Sequence, residues 1–318
     1  MKRRDFLKRT GSAMALAAIS GGTGLVFHNF ETATYQPAVS GATGFEVTPD
    51  PTLPRVVLAR NEDHINALNR SLDGIGGIKR FIKPGERVTI KPNIGWDRTP
   101  QQAANTNPVL VAEMVRLCLD AGAAKVIVTD ISCNDPRRTF LRSGIRTAAE
   151  KAGAEVLLPS DDDYLNVDLG GKLLTGWPVL KHFVETDRLI NMPIVKQHSL
   201  STCTIAMKNL YGILGGHRHR LHQEIDQSIV DLAAFARPTL TVVDATRVLL
   251  RGGPQGGSLG DVAEEHTVIC ATDQVAADAR AVEFLGHTGD QVGHIVLAQS
   301  SGLGTIDYHS AGYKEIIS

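Results

Sequence analysis

The feature that most constrains this chain is an alternation that begins near residue 51 and runs almost to the end. Short β-branched runs are followed by stretches of helical periodicity, over and over. RVVLAR (55–60), RVTIKPN (87–93), KVIVTD (125–130), EVLLP (155–159), RLINMPIVK (188–196), LTVVDAT (240–246) and HTVICATD (266–273) have the length and branching of strands. DHINALNRSLDGIGG (63–77), NPVLVAEMVRLCLDAGA (107–123), TFLRSGIRTAAEKAG (139–153), LHQEIDQSIVDLAAFA (221–236) and QVAADARAVEFLG (274–286) read as helices, most of them closed by glycine. Val111, Met114, Val115 and Cys118 share one helix face, and His222, Ile225, Ile229 and Leu232 share another. Such alternation predicts an α/β fold, a mostly parallel sheet with helices on both faces. It is Rossmann-like in class but lacks a dinucleotide fingerprint. A polar stretch, NVDLGGKLLTG, reads as a small hairpin-like insertion near 160–180 in a single α/β domain over 51–318.

The first forty residues do not fit that pattern. MKRRDFLKRTGSAMALAAISGGTGLVF opens with a basic segment, and Arg3-Arg4 followed by Asp5-Phe6-Leu7-Lys8 matches the twin-arginine export signal. The Gly/Ala-rich stretch from Gly11 to Phe27 is short and weakly apolar for a membrane span. Residues 1–40 therefore read as a twin-arginine signal and linker. Ala38-Val39-Ser40 is a candidate cleavage site, and an uncleaved anchor is the alternative. The expected partner is the twin-arginine export machinery, and the expected location is the periplasm or another extracytoplasmic space. No transmembrane domain is expected beyond such an uncleaved signal.

Bulk charge narrows the function classes. The net charge is −1 and aromatic content is 5%, which argues against a nucleic-acid partner or a base-stacking platform. Four cysteines, Cys118, Cys133, Cys203 and Cys270, stand far apart, so no iron–sulfur cysteine motif or zinc knuckle is present. Cys118 belongs to an apolar helix face. Cys133 and Cys203 fall in polar stretches that read as loops, as ligands, a disulfide or bystanders.

Ligands of open α/β sheets bind beyond the carboxyl ends of the strands. Here those ends carry Lys91-Pro92-Asn93, then Asp130 with Ser132, Cys133, Asn134 and Asp135, then Lys196-Gln197-His198, Asp244, and Thr272-Asp273. A parallel sheet would bring them to one edge, although Asp130 and Asp244 also suit helix capping. Lys208 and Asn209 in MKNLYG follow an apolar stretch, where burial would depress a lysine and fit it to bind an anion or act as a base. Thr106 and Asn107 read as a helix N-cap suited to an anion, and the loop RGGPQGGSLGD (251–261) is glycine-rich but fits no phosphate-binding motif.

The segment GGHRHRLHQ (215–223) stays open between three readings. His222 and Asp226 lie one helical turn apart and, with His198 and Asp244, form a candidate metal set. Arg218 and Arg220 instead favour a carboxylate or phosphate. The third reading is a polar loop without a ligand.

Four segments carry a family likeness: KPNIGW…TNPVLVAEMVRLCLDAGAAKVIVTD, NMPIVKQHSLSTCTIAMKNLYGILGG, LHQEIDQSIVDL and LTVVDATRVLLRGGPQGG. Through them the chain resembles domain-of-unknown-function family 362 over roughly residues 55–290. The resemblance implies a single α/β domain and no assigned reaction. Its motif residues fall on Lys91, Asn93, Lys196, His198, Lys208, Asn209, His222 and Asp244. Relatives with a ferredoxin-like module carry cysteine runs that this chain lacks, and Gln274 stands where many have proline.

The resulting expectation is an exported enzyme acting on a small anionic ligand, with a metal ion as an open addition. Lys196, His198, Lys208 and His222 would be catalytic, with His198 or His222 as general acid/base. Lys91, Asn93, Asn209, Arg218 and Arg220 would bind substrate. His198, His222, Asp226 and Asp244 would hold any metal. The rival readings are a cofactor-carrying or ligand-binding protein of a periplasmic redox system, and a metallochaperone or maturation factor. No nucleophile elbow is evident, which argues against a serine hydrolase.

Overall fold

A computed structural model describes residues 44–317 and the backbone of Val39–Ser40. The twin-arginine pattern lies outside the described residues. Among the described residues, no helix is long and apolar enough to cross a membrane.

Among the described residues, thirteen strands form: β1 (Val39–Ser40), β2 (Val56–Arg60), β3 (Arg87–Pro92), β4 (Lys125–Val128), β5 (Glu155–Val156), β6 (Tyr164–Asp168), β7 (Gly176–Leu180), β8 (Arg188–Met192), β9 (Ile194–His198), β10 (Thr202–Thr204), β11 (Leu240–Leu249), β12 (Val262–Ala271) and β13 (Tyr313–Ile317). The helices are α1 (His64–Gly74), α2 (Pro108–Asp120), α3 (Pro136–Arg142), α4 (Ile145–Lys151), α5 (Ala206–Asn209), α6 (Ile225–Ala236), α7 (Gln274–Ala281) and α8 (Gly293–Ser300). The main sheet runs β13-β2-β12-β11-β8-β3-β4-β5, with β9 beside the far half of β11 and β10 beside β9. Neighbours pair in parallel except around β12 and in the β9–β10 hairpin. The expected mostly parallel α/β sheet is what forms. The hairpin β6–β7 builds a separate small sheet with β1.

Strand periodicity divides the core in two. Val56 and Leu58 face one apolar cluster with α6, α7 and α8, whereas Val57 faces the other with α1, α2 and α4. Helices α1, α2, α3 and α7 start at side-chain caps. Asp63 accepts from the backbone N–H groups of Ile65 and Asn66, and Asn107 accepts from that of Val109 just before Pro108.

Five expectations change. The helix over 139–153 is two helices, because the chain turns at Ser143–Gly144 with Gly144 at φ +75°. The strand over 188–196 breaks at Pro193, which cannot donate to a ladder. The helix expected from 221 begins at Ile225, so His222 lies in the preceding 3-10 turn Arg218–His222 and not on the α6 stripe. Cys203 is in β10 and fully buried, not in a loop. β12 runs antiparallel to both neighbours, so Thr272 and Asp273 leave the sheet at the opposite edge, where Asp273 caps α7 and pairs with Arg55.

Candidate functional site

The ends of β3, β4 and β9 do converge, and the turn carrying α5 closes over them. Together with Arg218–His222 they line one cleft of about 470 Å³, a size suited to a small molecule. Lys91, Asn93, Asp130, Cys133, Lys196, His198, Lys208, Asn209, Arg218 and His222 share its walls.

At its floor lie three buried lysines with unlike surroundings. Lys91 Nζ sits 2.6 Å from Asp130 Oδ1 and donates to the Pro92 carbonyl and to Asn209 Oδ1. Its packing depends on Gly212: a Cβ there would stand 1.8 Å from Asp130 Oδ1 and 2.6 Å from Lys91 Nζ. Lys196 Nζ donates to Asn93 Oδ1 (2.9 Å) and the Ala104 carbonyl (2.6 Å), both uncharged. Lys208 Nζ lies 3.4 Å from the centre of the Tyr211 ring and, among the described residues, makes no hydrogen bond or ion pair. Burial without a matching carboxylate pushes both Lys196 and Lys208 down to about 7. Burial also pushes Lys91 down, with Asp130 opposing it.

A chain of amides holds the floor in place. Asn93 Nδ2 donates to Asn209 Oδ1, Asn209 Nδ2 to Asn191 Oδ1, and Asn191 Nδ2 to the Ala206 carbonyl, each at 2.8 Å. Each amide orientation follows from its neighbour, because Lys196 can only donate into the first of them. The turn bearing Lys208 is pinned from behind by Asp278, whose carboxylate accepts from the backbone of Ala206 and Met207. Burial raises Asp278 to about 6.

Of the histidines that line the cleft, His198 and His222 are of opposite tautomer. His198 Nδ1 accepts from the backbone N–H groups of Leu200 (3.1 Å) and Ser201 (3.3 Å), so the ring proton sits on Nε2. Burial, then the nearby Lys208 and Lys196, drive its pKa down to about 3. His198 is thus a neutral hydrogen-bond donor, and the expectation that it serves as a base fails on its own hydrogen bonds. His222 Nδ1 lies 3.3 Å from the His219 carbonyl, which only accepts, so His222 keeps a lone pair on Nε2. Burial lowers its pKa as well. The rings stack with centroids 6.4 Å apart, and Tyr211 meets His222 edge-on.

Other predicted residues go elsewhere. Arg220 is exposed and outside the cleft lining, whereas Arg218 turns inward and donates to the carbonyls of Ile131 and Ser132. The metal set His198, His222, Asp226 and Asp244 is not assembled. Asp226 lies 3.7 Å from buried His294. Asp244 is sealed by the Asn107 N–H, the Thr246 N–H and the Thr246 hydroxyl. The helix N-terminus at Asn107 is therefore filled by the protein's own carboxylate. His198 cannot ligate through Nδ1, which is taken, and Nε2 carries the proton. From the glycine-rich loop only Pro254 reaches the cleft, while the Gly253 N–H donates to Gln197 Oε1.

Among the described residues, His64, Glu264 and His266 do bring ligand-type atoms together. Their hydrogen bonds oppose a metal there. Asn107 Oδ1 is committed to the Val109 N–H, so its amide donates to His64 Nδ1 and leaves the His64 proton on Nε2, 3.2 Å from His266 Nδ1. Glu264 is held by Arg247. The sequence reading missed the cleft walls Trp96 and Tyr211. Trp96 follows the exit of β3, a local signal that could have found it, whereas Tyr211 sits in the turn after α5, next to Lys208 and Asn209.

The model of the family described as Domain of unknown function (DUF362) matches residues 88–283. The chain is 28% identical over 233 residues to the thylakoid-associated protein sll1697 of Synechocystis sp. (strain ATCC 27184 / PCC 6803 / Kazusa), covering 69% of each. It is also similar to the lactate racemase apoprotein of Thermoanaerobacterium thermosaccharolyticum, with TM-score 0.41 and 12% identity over 74% of this chain, and to a protein of Thermotoga maritima, with TM-score 0.37 and 12% identity over 75%. The chain spans 58% and 59% of the lengths of those two chains. With the family model matching across the cleft-bearing strands and turns, the chain belongs to the family of proteins with Domain of unknown function (DUF362).

Proposed function

We propose that this protein is an exported enzyme that binds a small anion in the cleft and moves a proton on it. The observation that carries the reading is the pair Lys196 and Lys208, buried in a small cleft with no carboxylate to match them. A buried ammonium without a counter-ion is costly. An anionic ligand would supply that counter-charge, with Arg218 adding donors at the rim. The histidines favour turnover over simple carriage. A neutral N–H donor on His198 beside a free lone pair on His222 suits polarising one group and taking a proton from another. Export rests on the Arg3-Arg4 pattern, and a reporter fused to residues 1–40 would test it against the Arg3→Lys/Arg4→Lys variant.

Calorimetry with inorganic phosphate and with pyruvate tests the cleft. Binding should take up protons at about pH 8, because the ligand recharges amines that the free protein holds near 7. Affinity should fall about tenfold per pH unit for each amine that must be recharged above that value. Binding of neither probe, or binding that is indifferent to pH and survives in Lys196→Met, would overturn the reading.

A further inference from the structure

The three cleft lysines are not equivalent, and their bonding separates their chemistry. Lys91 is an ion-pair partner, and Lys196 is committed to two acceptors. Among the described residues, Lys208 alone of the three has an amine with no hydrogen-bond or ion-pair partner, 7% exposed on the residue scale and lying against the cleft. We propose that Lys208 is a nucleophile that condenses with the carbonyl carbon of a small anionic carbonyl compound, such as a 2-oxo acid, to form an imine. This rests on the anion-binding reading of the same cleft, and deepens it by naming the substrate class.

The groups each step needs line the same cleft. The neutral Lys208 amine adds to the carbonyl carbon, forming the C–N bond as the C=O π electrons move to oxygen. The His198 Nε2–H is the donor available to that oxygen, and it can stay un-ionised because its other nitrogen is held by two backbone N–H groups. His222 Nε2 takes a proton from the attached nitrogen and returns it to the oxygen, and one further proton from solvent lets that oxygen leave as water. Amine, carbonyl and one proton thus give the iminium and one water, with no oxidant or reductant. The iminium keeps the positive charge of the lysine over the Tyr211 face, so the ring that faces the free amine also stabilises the product. Lys196 and Arg218 match the acid group. An amine near 7 is largely unprotonated at pH 7.5, against roughly one in a thousand for an ordinary lysine, which makes it the better nucleophile by concentration alone.

The test is reductive trapping on the full chain. Protein is incubated with pyruvate, and separately glyoxylate, at pH 7.5 with sodium cyanoborohydride, and the adduct is mapped by tandem mass spectrometry. Lys208 should carry at least about tenfold more label than any exposed lysine such as Lys79 or Lys172. Lys208→Arg should lose that label, and excess acetate should protect against it. Calorimetry with acetate runs in parallel. If acetate binds and Lys208 is not labelled, or the label falls on Lys196 or spreads over surface lysines, the imine is overturned while the anion cleft stands. If acetate fails to bind and Lys208 is not labelled, both readings fall.

Discussion

Two buried charged regions lie on the same sheet and are treated in opposite ways. Around Asp244 the protein answers a carboxylate with three donors of its own: the Asn107 and Thr246 N–H groups and the Thr246 hydroxyl. Around Lys196 and Lys208 it offers amides, a carbonyl and an aromatic face, and among the described residues no carboxylate touches either amine. Burial opposes the charged form in both places, raising Asp244 and lowering the lysines. A charge that the fold has already satisfied is structural, because any ligand would have to displace bonds of full strength. A charge left short is where a ligand gains most. The Lys91–Asp130 pair is the internal reference for the cleft, a lysine on the same floor that does have its anion.

The largest effect is expected at that reference. In Gly212→Ala the new Cβ would collide with Asp130 Oδ1 and Lys91 Nζ, and neither can move without leaving a buried charge unpaired. A loss of ~3–5 kcal/mol in urea unfolding is expected, the usual cost of breaking a buried pair. A loss under about 1 kcal/mol would mean that the pair is loose enough to resemble its neighbours, and the contrast would dissolve.

The second prediction sets the two regions against each other. Asp244→Ala leaves three donors without an acceptor and should cost ~2–4 kcal/mol, with phosphate affinity unchanged. Lys208→Met, close in volume and uncharged, should keep or raise stability within about 1 kcal/mol while weakening phosphate binding about tenfold or more. Exchange of these outcomes, a destabilised Lys208→Met and a ligand-blind Asp244→Ala of normal stability, would reverse the assignment.

How much of this was legible beforehand follows from what sequence periodicity encodes. The strand and helix runs were readable because branching and apolar spacing are local properties, and Lys91, Asp130, Lys196 and His198 could be set at one edge once the sheet was taken as parallel. Asp244 is misassigned because LTVVDAT reads as a strand that ends beside it, whereas β11 runs on to Leu249 and holds Asp244 mid-strand. Only the fold brings the Asn107 N–H to it. Asp273 was misplaced because nothing local distinguishes an antiparallel β12 from a parallel one. His222 was given a helix face one turn too early, since a 3-10 turn and an α-helix share side-chain types. Tautomers depend on single backbone N–H and C=O groups brought in by neighbouring turns, and no spacing rule encodes them.

Those tautomers supply the smallest expected signal, and it bears most directly on mechanism. Nitrogen-15 correlation spectra of the imidazoles should place the His198 proton on Nε2 and the His222 proton on Nδ1. His198 should show no titration from pH 5 to 8, because its folded pKa of about 3 lies below that window, so it stays neutral throughout. Since the unfolded ring would take up a proton near ~6.5, the folded state binds fewer protons between about 3 and 6.5. This ring therefore adds stability as pH rises through that interval and takes it away as pH falls. If His198 instead titrates near neutrality, its Nδ1 is not held by Leu200 and Ser201, the two rings become interchangeable acids and bases, and the division into a polarising donor and a proton acceptor is lost.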